Sequence, residues 1–136
     1  VDGHSARDSN GGVILGLAWS NLHLVMFKQT IDDICGGPLT PPLLRERLCE
    51  AAEFSIWVHE VGHVLGLVNT GLPMVDDHQD TEHGAHDVND ECVMYWAYEG
   101  EAMVDLLRDR FVGGNEEALA FDDACLADIA SVRDAP

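Results

Sequence analysis

The apolar positions of this chain fall into separated blocks whose spacing predicts the elements. Val13 to Trp19 and Leu22 to Phe27, parted by Ser20-Asn21, read as two short strands. Thr30 to Ile34 reads as a helical turn ended by Cys35-Gly36-Gly37-Pro38. Thr40-Pro41-Pro42 then marks a helix start, with Thr40 as N-cap and Pro41 at the first helical position. From Pro41 to Leu65, the residues Leu44, Leu48, Ala51, Ala52, Ser55, Val58 and Gly62 follow one another at three- and four-residue steps. Gly66 is the expected left-handed terminator. A helix of about 25 residues is about 37 Å long, which makes it a central element.

Beyond that helix the periodicity stops. Residues 68–91 are rich in acidic side chains, histidine, glycine and asparagine, and a structureless segment of this length is usually functional or disordered. Cys92 to Tyr98 is apolar and tightly bounded. Residues 101–111 predict a short helix, Gly113-Gly114-Asn115 breaks the chain, and Phe121 to Ile129 predicts a closing helix with Asp122 or Asp123 near its N-terminus. Residues 2–12 read as a loop, and there is no internal repeat.

Length and charge narrow the function. The 136 residues carry 7 Lys+Arg against 25 Asp+Glu, a net charge of −18, and 46% of them are hydrophobic. One domain with a real core is expected. Nucleic acid and anionic membrane surfaces would repel such a chain at long range, so both are excluded as partners. The longest apolar runs fall far short of the roughly 20 residues of a membrane span. Val1-Asp2-Gly3-His4-Ser5 could be the end of a strand, which would make the chain an N-terminally trimmed piece. The four cysteines form no CxxC. They read as disulfides or buried thiols, with Cys35–Cys49 and Cys92–Cys125 the preferred pairing and a secreted or cell-envelope location to match.

Histidine is the surplus. Five of the seven (His59, His63, His78, His83 and His86) fall between residues 59 and 86. On the long helix stands His59-Glu60-Val61-Gly62-His63. Two histidines four residues apart differ by about 40° around a helix and about 6 Å along it, so both reach one metal ion. HExxH is the zinc-protease signature, in which the glutamate takes a proton from a water whose pKa zinc lowers to about 7. An unpaired carboxylate on a buried apolar helix would be costly, and a metal ion removes that cost. Catalytic zinc takes three protein ligands and leaves one position open. Asn69 stands where the extended HExxHxxGxxH pattern has its third histidine, and an amide is a poor zinc ligand.

His59-Glu60-Val61-Gly62-His63-Val64-Leu65-Gly66-Leu67, followed by Cys92-Val93-Met94-Tyr95, resembles the metzincin clan of zinc peptidases. In that clan a glycine turns the chain after the second ligand, and a methionine turn lies beneath the metal. The spacing from His86 through Cys92 to Met94 is similar to the H-C-x-x-x-x-C-x-M pattern of the archaemetzincins, with Asp87 in place of the first cysteine. The resemblance implies His86 as third ligand, Met94 under the site and residues 67–85 as an insertion. It also implies an α/β (α+β) zincin domain, with a small sheet on the active-site helix and a C-terminal helix. No later CxxC completes a second zinc site, so one Zn²⁺ is expected. His83, His78, Asp76 and Asn69 are rival third ligands. Tyr95 and Tyr98 are candidates to stabilise an oxyanion, or else packing residues.

The expected function is zinc-dependent endopeptidase action, with His59, His63 and His86 holding the metal, Glu60 as general base, and a peptide or protein as substrate. The acidic 68–91 segment predicts a preference for neutral or basic peptides. A zinc domain that binds a peptide or protein without hydrolysis, and a metal buffer built on the 76–91 loop, are the alternatives.

Overall fold

A computed structural model of the chain describes Arg7, residues 11–20 and residues 22–133. His4, the suggested strand end at residues 1–5 and most of the predicted 2–12 loop lie outside them. The two predicted strands are present but shorter, as β1 (Gly16–Trp19) and β2 (His23–Met26). They pair antiparallel, with Gly16 opposite Met26 and Trp19 opposite His23. Trp19 lies across the His23 ring with centroids 5.4 Å apart. Hydrogen bonds just before the sheet fix its position, because Leu15 accepts from the Phe27 amide and donates to the Glu99 carbonyl, both at 3.0 Å.

The expected turn at 30–34 is a full helix, α1 (Lys28–Cys35), whose buried residues Ile31 and Cys35 stand one turn apart. The long helix α2 spans Arg45–Leu65 and begins four residues later than Pro41. Thr40 does not cap it. Its buried hydroxyl accepts from Arg108 Nε at 3.2 Å, and Pro41-Pro42 forms a turn closed by the Leu44 amide on the Pro41 carbonyl at 2.9 Å. A disulfide joins Cys35 to Cys49 and so ties α1 to the first turns of α2. The far end is the predicted one. Gly66 adopts φ 88°, its amide reaches His63 and that of Leu67 reaches Gly62, so the last carbonyls are satisfied in a Schellman motif.

The C-terminal part supplies α3 (Glu101–Val112) and α4 (Asp123–Arg133). Asp122 is the N-cap of α4, accepting the Cys125 amide at 3.0 Å. The chain is thus a mixed α/β fold of four α-helices and a two-stranded sheet among the described residues. Helix α2 is central, touching both strands, α1 and α3, and its Leu48, Ala52 and Ile56 share one core with Leu15, Ile31 and Leu107. No described helix is long and apolar enough to cross a membrane.

Between α2 and α3 the chain is irregular but tied down. Asp87 bridges to Gln79 on one side and to Tyr95 on the other, and its amide donates to the Met94 carbonyl at 2.9 Å. The Asp80 amide donates to the His86 carbonyl at 2.7 Å. A single 3-10 turn, Trp96–Glu99, then leads into α3. These ties carry residues 86–99 back across the C-terminal half of α2.

Candidate metal centre

Helix α2 buries His59 and Glu60 completely and leaves His63 at the edge of a cleft. Their one-turn spacing brings His59 Nε2 and His63 Nε2 to 3.1 Å from each other. The 86–99 segment adds His86, and the three imidazoles form a triangle with ring centroids 4.8, 5.0 and 5.4 Å apart. His59, His63 and His86, the three predicted ligands, are therefore brought together.

Two of these rings are aimed by the backbone. Nδ1–H of His59 donates to the Val93 carbonyl at 2.6 Å, and Nδ1–H of His86 donates to the His83 carbonyl at 2.7 Å. With the proton on Nδ1, a neutral imidazole presents its Nε2 lone pair to the centre of the triangle, as a metal ligand must. Burial and the neighbouring His63 charge push His59 down to about 3, and burial and His86 push His63 down to about 4. Neutral rings are the ligating form.

Glu60 sits beside this triangle with both carboxylate oxygens buried and without a hydrogen-bond partner among the described residues. Burial, reinforced by the charge of Glu99, pushes it up to about 8. Room for it comes from Gly16 of β1, where a Cβ would lie 2.5 Å from Glu60 Oε1. On the same helix Gly62 makes room for Met94, whose sulfur occupies the space a side chain there would fill. An orphaned carboxylate next to three converging nitrogens is a donor set that could hold a metal ion.

A fourth residue joins the group. Glu99, at the end of the 3-10 turn, places Oε1 3.1 Å from His86 Nε2 and 3.7 Å from His63 Nε2. His59, His63, His86 and Glu99 form one potential ligand set, with all donor atoms within 4.8 Å of one another. Sequence reasoning passed over Glu99. The available signal was its place at the end of the apolar Cys92–Tyr98 run, where a lone acid is out of pattern.

The rival third ligands lie elsewhere. His83 stacks on Trp96 with centroids 4.1 Å apart and donates Nδ1–H to the Asp80 carboxylate at 2.7 Å. His78 is buried between two carboxylates, Nδ1 to Asp87 at 2.5 Å and Nε2 to Asp128 at 2.9 Å. Asn69 donates to Gln79, and Asp76 is exposed. Tyr98 donates its hydroxyl to the Asp90 carbonyl, and Tyr95 packs against the Tyr98 ring.

Two further groupings also contain ligand-type residues. In His78, Asp87, Asp122 and Cys125 the imidazole already has a carboxylate on each nitrogen. In Asp32, Cys35 and Cys49 the sulfurs are joined to each other. The predicted Cys92–Cys125 disulfide is absent. The two sulfurs are 3.9 Å apart, too far for the roughly 2.05 Å of a bond, and both residues are buried thiols. Met94 N donates to Cys92 Sγ at 3.4 Å and Cys125 Sγ donates to Asp87 at 3.7 Å, so each thiol has a polar partner of its own.

The cleft above the triangle holds about 280 Å³, walled by Leu17, Ala18 and Trp19 of β1 on one side and by Thr70 and Ala85 on the other. A larger depression of about 900 Å³ lies between the 89–91 loop and residues 115–124, and holds none of the histidines. No known protein family, curated protein or solved structure matches the chain.

Proposed function

We propose that this protein is a zinc-dependent peptidase of metzincin type, with His59, His63 and His86 as ligands of one Zn²⁺ and Glu60 as general base. The observation that carries this reading is the buried, unpartnered Glu60 carboxylate beside three converging imidazoles. A zinc ion there would supply Lewis acidity, lowering the pKa of water toward 7 and polarising a carbonyl. The protein supplies the rest. Glu60, buried beside the ligand triangle with both oxygens unpaired among the described residues, would take a proton from water and return it to a leaving amine. Met94 packs its sulfur against the bare backbone of Gly62, next to the proposed ligand His63 in the helix.

The cleft suits an extended peptide lying along β1, with Leu17 and Trp19 half-exposed at its edge. The Cys35–Cys49 disulfide agrees with a secreted or cell-envelope setting. A second reading, a zinc domain that binds a peptide or protein without cleaving it, is favoured by one observation, the Glu99 carboxylate close to His63 and His86. A closed set of four protein ligands is the mark of structural zinc.

Mass-spectrometric analysis of a mixed peptide library after incubation with the protein separates the two. Cleavage that a chelator abolishes and Zn²⁺ restores is expected. Zinc-loaded protein that binds peptides and leaves all of them intact would decide for the second reading.

A further inference from the structure

We infer that Glu99 is a fourth, displaceable metal ligand, which closes the open coordination position of this centre until substrate enters the cleft. The inference rests on the metal reading above and goes beyond its three-histidine site.

Geometry is the first argument. Four donors at roughly 2.0–2.1 Å from one tetrahedral ion lie about 3.3 Å from each other. The separations here are 3.1 Å for His59 to His63, 3.1 Å for His86 to Glu99 and 3.7 Å for His63 to Glu99. Three of the six donor separations thus fall close to that spacing, and all four donor atoms lie within 4.8 Å of one another.

Hydrogen bonding is the second argument. His86 Nδ1 donates to the His83 carbonyl, which leaves Nε2 as the ring atom aimed at Glu99 Oε1, 3.1 Å away. His63 Nε2 faces the same oxygen at 3.7 Å. A metal ion among them would be met by the three imidazoles and the carboxylate at once.

Mobility is the third argument. Unlike His59, which is fully buried, the Glu99 side chain is 45% exposed on the wall of the cleft. Its own backbone is fixed through the Leu15 amide, so the side chain alone must turn to release the metal. A peptide occupying the cleft between Trp19 and Ala85 would compete for that space.

Zinc affinity, measured by competition with a chelating dye, and inner-sphere water, measured by proton relaxation of the Co²⁺-loaded protein, test this together. In the wild type no fast-exchanging inner-sphere water is expected. In Glu99→Ala such a water appears, zinc affinity falls at least about tenfold, by comparison with the loss of an outer-shell partner, and peptide cleavage quickens. Glu99→Gln, which keeps the shape and removes the charge, should behave in the same direction. An inner-sphere water in the wild type, with zinc affinity unchanged in both variants, would overturn the inference while leaving three-histidine peptidase chemistry intact. If affinity and relaxation shift as stated but no variant cleaves peptides, Glu99 stands as a ligand and the peptidase reading fails.

Discussion

Glu60 of α2 lies against the bare backbone of Gly16 in β1, where even one added carbon would come within 2.5 Å of its Oε1. The smallest residue of the sheet therefore sets the position of the proposed general base. This contact joins residues 44 positions apart and ties the sheet to the proposed chemistry.

Gly16→Ala should displace the Glu60 carboxylate while leaving the histidines in place. Overpacking of this kind costs roughly 1–3 kcal/mol. The variant is expected to bind one zinc per chain as the wild type does, to melt several degrees lower, and to lose at least about tenfold in peptide cleavage, as a misplaced general base loses part of its contribution. Zinc stoichiometry and cleavage rate measured on the same preparation check it. A wild-type rate would mean that Glu60 is not held by this contact.

His78 predicts a pH dependence of stability. Burial opposes its charge, but the hydrogen bonds to Asp128 and Asp87, both fully buried, outweigh it and hold the imidazole above its usual pKa. A folded-state pKa above the unfolded value of about 6.5 means that the stabilisation is complete below that pH. It is lost as pH rises through the raised folded value. Denaturant midpoints should therefore fall more steeply above neutrality in the wild type than in His78→Gln. At pH 6 the variant should be less stable by roughly 3–5 kcal/mol, the cost of leaving buried charge unpaired. Parallel pH profiles would refute the ion-pair account.

The cysteines predict a labelling pattern. Cys92 and Cys125 are buried thiols, and the hydrogen bond shared with Cys92 together with burial pushes the Cys125 thiol far up, away from the reactive thiolate. Alkylation of the native protein should label neither. After unfolding without reductant two groups should react, and after reduction four. Zero labels on the unfolded, unreduced chain would restore a second disulfide.

The centre of the fold was legible because its signals are local. The helix carrying His59-Glu60-Val61-Gly62-His63 has its own period, and Gly66 its own backbone requirement, so both the element and its end follow from neighbouring residues. The N-terminal boundary did not. Thr40 has the chemistry of a cap, but its hydroxyl is engaged by Arg108, 68 residues away, and no local pattern reports that contact. His86 came from a spacing relative to Cys92 and Met94, and the structure explains the spacing, since the Asp87 amide bonds to the Met94 carbonyl and holds the two arms side by side. Glu99 and the pairing of His78 with Asp128 are juxtapositions made by tertiary structure alone. The mispaired cysteines have the same origin. Cys92 and Cys125 do meet in the core, as the pairing supposed, but each is held by a polar neighbour rather than by a bond.

The most direct measurement is the peptide-cleavage rate of zinc-loaded Glu60→Gln beside that of the wild type, with zinc content determined on both. If Glu60 moves the proton, the variant keeps one zinc per chain and loses at least about a hundredfold in rate, the scale of a missing general base. A Glu60→Gln protein that holds its zinc and cleaves as fast as the wild type would contradict the account.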